Sequence, residues 1–240
     1  MSTGVHSIAG RLDAIRGRMA EAALRAGRQP GDVRLVAVSK TFPLEAVREA
    51  YDAGQREFGE NKVQEALQKI EAGTDMQIGW HLIGHLQSNK ARKAAARADW
   101  IHAIDSVDLL HRVDRAAAEA GRVVGVLIQV DLALEPTKHG APLDAVPGIL
   151  DAASGLRGAE LRGLMLLPPL VDDPEQARPW FRRLREQRDR WIDAGTPAGC
   201  LRELSMGMSH DFDVAIEEGA TMVRVGSAIF GTRHYAPAGA

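Results

Sequence analysis

One cysteine, Cys200, occurs in 240 residues, so a disulfide framework is excluded and a reducing compartment such as the cytoplasm is expected. Neither charge sign is in excess. The 30 Lys and Arg against 32 Asp and Glu leave a net charge of −2, which removes the basic field that draws a protein to nucleic acid or an anionic membrane. No run approaches the roughly 20 apolar residues that span a bilayer. The N-terminus lacks a compact apolar segment before a small-residue cleavage site, so no secretory signal is expected. Five arginines between Val5 and Arg28 imitate a transit peptide. However, Ile8, Leu12, Ile15 and Met19 fall at helical spacing and Asp13 and Glu21 are acidic, which favours a helix packed on the domain. Aromatics make up 5% of the chain and tyrosines number two, Tyr51 and Tyr235. That scarcity bears on the chemistry below.

What the chain does have is alternation. Apolar, β-branched runs at 33–39, 56–58, 80–83, 100–104, 123–130, 161–167, 201–205 and 221–225 read as strands. Between them, 43–53, 61–72, 88–98, 106–120, 141–153, 174–194 and 209–219 carry apolar residues three and four apart. Strands alternating with helices imply parallel βαβ units. Eight such units, preceded by one additional helix at 5–26, predict an α/β fold: a single-domain (β/α)8 TIM barrel over residues 1–240, with 1–4 and 234–240 frayed.

In such a barrel, function collects where strands end and βα loops begin. Strand one ends in Ser39-Lys40-Thr41 and strand two in Gly59-Glu60-Asn61. Strand three leads into Gly84-His85, strand five toward Thr137-Lys138-His139-Gly140, strand seven into Met206-Gly207-Met208-Ser209, and strand eight into Gly226-Ser227. Ser209 sits at an expected N-cap, Gly226 permits close backbone approach, and the loops after strands seven and eight of barrels often form a phosphate site. Each feature also has a plain reading, as a cap and as a turn. Arg224 lies in an apolar run, where an unpaired guanidinium is very costly. It pairs either with a carboxylate such as Glu203 or with a ligand beside the phosphate.

Lys40 closes a strand built to be buried. Desolvation lowers an amine's preference for its charged form, and a neutral amine attacks carbonyls. The plain alternatives are a lysine that snorkels to solvent or pairs with Glu60. A phosphate anchor across the barrel mouth from a reactive lysine is the binding pattern of pyridoxal 5'-phosphate (PLP).

The blocks LVAVSKTFP, FGENKVQEA, WHLIGHLQSNK, EPTKHG, GLMLLPP and LSMGMSHDFDVAIEEGATMVRVGSAIFGTR cover nearly the whole chain. In them the sequence resembles the pyridoxal phosphate homeostasis protein family, which is related to the N-terminal barrel of alanine racemase. The resemblance implies an imine between PLP and Lys40. It implies a phosphate held by Ser209, Gly226, Ser227 and the backbone near Met208. It places Arg224 at the pyridine nitrogen and Asn61 and His81 along the pocket. His210, Leu166-Leu167 and His139 depart from the family pattern, and none of them touches the proposed anchor.

Other features weigh less. His81 and His85 are four apart, but Gly84 interrupts a helix and no third ligand follows, so no metal is expected. Lys90, Arg92 and Lys93 read as a solvated helix face, and Cys200 as inert core at a strand start. Lys138 is a candidate second, transient amine for PLP. Arg224 opposite the ring nitrogen would weaken carbanion stabilisation. Tyr51 lies on an outer helix and Tyr235 in the tail, so neither offers a base. The expected function is therefore a monomeric PLP carrier, involved in vitamin B6 homeostasis and supply to apo-enzymes, without robust catalysis. A PLP-dependent amino-acid racemase or lyase is the alternative.

Overall fold

The computed structural model describes residues 7–133 and 139–231. The expected frayed ends, and Lys138 and Tyr235 with them, lie outside the described residues.

Helix α1 (Ile8–Arg25) starts at Ser7, whose hydroxyl accepts from Gly10 N at 3.1 Å. It buries Ile8, Leu12, Ile15 and Met19, the stripe that the spacing predicts. The barrel strands follow: β1 (Arg34–Val38), β2 (Glu57–Glu60), β3 (Gly79–Leu82), β4 (Trp100–Ile104) and β5 (Val124–Asp131). A two-residue strand, β6 (Ala141–Pro142), precedes β7 (Ala159–Leu166), β8 (Glu203–Met208) and β9 (Met222–Val225). The outer helices are α2 (Leu44–Asp52), α3 (Val63–Ala72), α4 (Ala91–Ala95), α5 (Val107–Glu119), α6 (Val146–Ala152), α7 (Arg178–Asp193), α8 (Phe212–Glu217) and α9 (Ser227–Phe230).

All pairings are parallel. β1 pairs with β2 and with β9, and β4 pairs with β5, so eight strands close into the expected TIM barrel in the order β1-β2-β3-β4-β5-β7-β8-β9. The ninth, β6, only extends the end of β5 through Val130 opposite Ala141. It occupies the start of the segment read as helix 141–153, because Pro142 cannot donate within a helix and Pro147 suits only a first turn.

Other boundaries move as well. The second strand runs to Glu60 rather than ending at Phe58, since Glu60 is itself buried. The run at 201–205 begins as a short 3-10 turn, Ala198–Leu201, and becomes a strand only at Glu203. Cys200 is therefore half-buried in that turn and not at a strand start.

Most of the core lies between strands and helices. Inside the barrel, Leu127, Met165 and Met222 form a separate apolar cluster, with Trp100 and Leu167 packed on it.

Candidate ligand pocket at the barrel mouth

A cavity of about 430 Å³ opens at the C-terminal ends of the strands. Lys40 enters it from the end of β1 and Asn61 from the end of β2. Met208 at the end of β8 and Ser209 just beyond it line the cavity, with Arg224, Gly226 and Ser227 at the end of β9. Seven of the eight expected residues thus meet in one place, although they span 188 positions from Lys40 to Ser227, counting both ends. The eighth, His81, does not line the cavity. It lies two residues before Ile83 on β3, 1% exposed inside the barrel, and makes a layer beneath the floor.

Arg224 is 3% exposed. It donates through Nη1 to Ser205 Oγ at 2.6 Å and through Nη2 to the Leu166 carbonyl at 2.8 Å. Glu203 is not its partner, because Arg34 binds that carboxylate at 2.7 Å and Thr221 Oγ1 donates to it as well. Burial pulls the guanidinium down to about 10, with the charge of Asp211 acting the other way. It stays cationic at neutral pH and, as arginine, only donates.

Ser209 differs from the expected N-cap. Helix α8 begins at Phe212, while Asp211 accepts from Met208 N at 2.6 Å. The Ser209 hydroxyl instead accepts from Gly226 N at 3.2 Å and ties the loop after β8 to the loop after β9. His210 also lines the cavity, and its Nε2 donates to the Asp172 carbonyl at 2.8 Å. At the opposite rim His85 stacks on His139, with ring centroids 3.6 Å apart.

The lysine is held by its neighbours. Ser39 Oγ donates to Glu60 Oε1 at 2.6 Å, and Lys69 Nζ reaches Glu60 Oε1 at 2.6 Å, Glu65 Oε1 at 2.9 Å and the Ser39 carbonyl at 2.8 Å. Glu65 in turn accepts from Thr41 N at 2.6 Å. Lys40 is therefore flanked on both sides by backbone or side-chain groups clamped to one cluster on β2 and α3. Glu60 is fully buried, and its partners there are Lys69 and Ser39 rather than Lys40. Thr41 has φ of 70°, a conformation that a β-branched residue adopts only under constraint from its surroundings. The bond from Thr41 N to Glu65 is one such constraint.

Lys69 was not singled out in the sequence, although a signal exists. It follows Glu65 by four and shares the apolar face of α3 with Val63 and Ala66, an odd place for an ammonium. The strain at Thr41 has no such signal. Gly84 is fixed by space: a Cβ there would lie 2.3 Å from the Asn61 carbonyl oxygen, so only glycine lets the two loops touch.

The fold is thus a closed parallel barrel of the class that keeps its ligand sites at the strand ends, and its mouth gathers an amine, a cationic donor and two joined loops. The sequence profile described as "Alanine racemase, N-terminal domain" matches residues 11–234. The pyridoxal phosphate homeostasis protein of Aquifex aeolicus is 42% identical over 225 residues, 94% of this chain and 98% of that one. The protein of the same name from Pseudomonas aeruginosa is 41% identical, over 97% of this chain and 99% of its own. PipY of Synechococcus elongatus, solved with PLP bound, superposes with a TM-score of 0.82 at 42% identity, covering 94% of this chain and all of that one. The chain belongs to the pyridoxal phosphate homeostasis protein family.

Proposed function

We propose that this chain binds PLP at the barrel mouth, joins it through a Schiff base to Lys40, and serves as an intracellular reservoir that passes PLP to apo-enzymes. The observation that carries this reading is the meeting of Lys40, Arg224, Ser209 and Ser227 around one cavity of about 430 Å³. The residues fit the group. A permanently donating guanidinium calls for an acceptor, which an unprotonated pyridine nitrogen supplies. The two joined serine loops offer hydroxyl and backbone groups to a phosphate, with Met208, Gly226 and Ser227 beside them. Asn61 closes the wall between these ends.

When bound, PLP supplies an aldehyde carbon and a conjugated ring able to take up electrons. Lys40, which lines the cavity, would hold that carbon through Nζ in a reversible condensation that releases one water and takes it back on hydrolysis, leaving the cofactor recoverable. Arg224 would face the ring nitrogen as a donor that keeps its own proton. This weakens the ring as an electron sink and favours storage over carbanion chemistry. Tyr51 supports the same reading: it lies on α2, accepts from Gln77 N at 3.2 Å and stacks under Arg56, turned to the outer surface. The protein acts as a monomer in the cytoplasm.

The test is an absorbance spectrum after loading with PLP. The wild type is expected to carry a visible-range chromophore that borohydride fixes to Lys40, and Lys40→Ala is expected to lose it. A chromophore of undiminished strength in Lys40→Ala would overturn the lysine assignment. Exchange of the α-hydrogen of alanine at an ordinary enzymatic rate would overturn the reservoir in favour of a racemase.

A further inference from the structure

Beneath the cavity the inward side chains of five strands form one continuous hydrogen-bond chain. Arg224 Nη1 on β9 reaches Ser205 Oγ on β8 at 2.6 Å. Ser205 Oγ reaches His102 Nδ1 on β4 at 3.0 Å. His102 Nε2 reaches His81 Nδ1 on β3 at 2.8 Å, and His81 Nε2 reaches Glu57 Oε2 on β2 at 2.8 Å. Ser205, His102 and His81 are fully or almost fully buried, while the Glu57 side chain is 31% exposed at the strand-start end.

With both imidazoles neutral, the two ends dictate the direction of every link between them. A guanidinium only donates and a carboxylate only accepts. Ser205 accepts from Arg224 on one lone pair and, facing the bare Nδ1 that a His102 protonated at Nε2 leaves, gives its single proton to His102 Nδ1. His102 must then carry its own proton on Nε2, where it meets His81 Nδ1. His81 likewise carries its proton on Nε2 and gives it to Glu57. In the reverse direction Ser205 would face two donors with its own proton stranded in a dry interior.

Both imidazoles are neutral in this arrangement. Burial depresses both, His102 well below the ordinary range, and for His102 the neighbouring His81, Arg224 and Arg34 act in the same direction. Glu57 and Asp99 oppose the depression at His81, while Arg34 adds to it. The Trp100 ring stacks flat on His81 with centroids 5.6 Å apart and fixes its plane.

We propose that Glu57, His81, His102 and Ser205 are positioning residues for Arg224, forming a one-way hydrogen-bond chain that holds the guanidinium as a fixed donor beneath the ligand ring. The inference rests on the reading of Arg224 as the partner of the ring nitrogen. Because all links point the same way, each polarises the next. The Glu57 charge at the base thereby makes Ser205 a better acceptor at the top. A neutral pyridine nitrogen matches the donor that results, and a protonated one would set two donors against each other. Selection for the unprotonated ring is thus built into the barrel interior as well as the pocket wall.

The test begins in ligand-free protein. Long-range ¹H–¹⁵N correlation with labelled histidine is expected to show His81 and His102 protonated at Nε2 alone near neutral pH. A proton on Nδ1 of His102, or a doubly protonated ring at either position, overturns the proposal. The second arm uses PLP itself. Glu57→Gln is nearly isosteric and remote from the cavity, and it is expected to raise the Kd for PLP by about fivefold, at the low end of couplings between linked sites. Ser205→Ala, which cuts the chain beside Arg224, is expected to raise it roughly tenfold, one charged hydrogen bond's worth. Wild-type affinity in both variants, with unchanged melting temperatures, would overturn the coupling. A wild type that takes up no PLP would overturn the reading of the pocket instead, while the histidine protonation states still decide the chain.

Discussion

Replacing Lys69 by methionine keeps an unbranched side chain one atom shorter and removes the charge on which Glu60 depends. The pair is buried, with Lys69 8% and Glu60 0% exposed at the side chain. Glu60 Oε1 has two partners, Lys69 and Ser39, and Oε2 has no hydrogen-bond partner among the described residues. The variant would leave the carboxylate with one hydroxyl, so the loss follows the rule for breaking a buried pair by removing one member, about 3–5 kcal/mol.

The sign with pH is also fixed. Burial pushes the Glu60 carboxyl up, and Lys69 and Ser39 pull against it. A carboxyl raised by folding contributes stability that is present below the ordinary glutamate value of about 4.3 and is lost as pH rises through the raised value. Without Lys69 the folded value rises further, so the deficit of Lys69→Met against wild type is smallest in acid and widens toward neutrality. Urea unfolding of both proteins at several pH values, followed by far-ultraviolet circular dichroism, measures it. Adding Glu60→Gln to Lys69→Met is expected to recover part of the loss, since no charge then remains to bury. A difference under about 1 kcal/mol at neutral pH, or one that does not change with pH, would refute the reasoning about a buried, dependent carboxylate.

Two further substitutions probe the frame around the pocket. Gly84→Ala forces a Cβ to within 2.3 Å of the Asn61 carbonyl oxygen, so the loops after β2 and β3 must separate; PLP affinity is expected to fall with a smaller change in melting temperature, and an unchanged affinity would show that this contact does not shape the site. Asp114→Ala removes one carboxylate oxygen that accepts from Arg157 N, Gly158 N and Ala159 N at 2.8, 2.7 and 2.9 Å. The start of β7 should loosen at a cost of about 2–3 kcal/mol, read by chemical unfolding, with PLP affinity kept because the cavity lies at the opposite ends of the strands.

Much of this molecule is local and was therefore legible in the chain. The alternation of apolar runs and amphipathic segments depends on burial period alone, and it gave eight parallel strands and the helix before them. The strand-end rule then selected Lys40, Asn61, Ser209 and Gly226 without any contact being known. Partners are another matter. Lys40 and Arg224 both looked for a carboxylate, and the candidates named, Glu60 and Glu203, proved to be held by Lys69 and by Arg34. Sequence supplies which groups need a partner but not the distances that assign one, because the competitors arrive from other strands. His81 shows the same limit. The family resemblance put it along the pocket, yet strand register set it two residues too deep, where it meets His102 and Glu57. Burial of an ionisable group could be read from its neighbours in the chain. The direction of a hydrogen-bond chain, and the strain at Thr41 beside Lys40, exist only once eight strands close into a ring and bring five of their side chains into line.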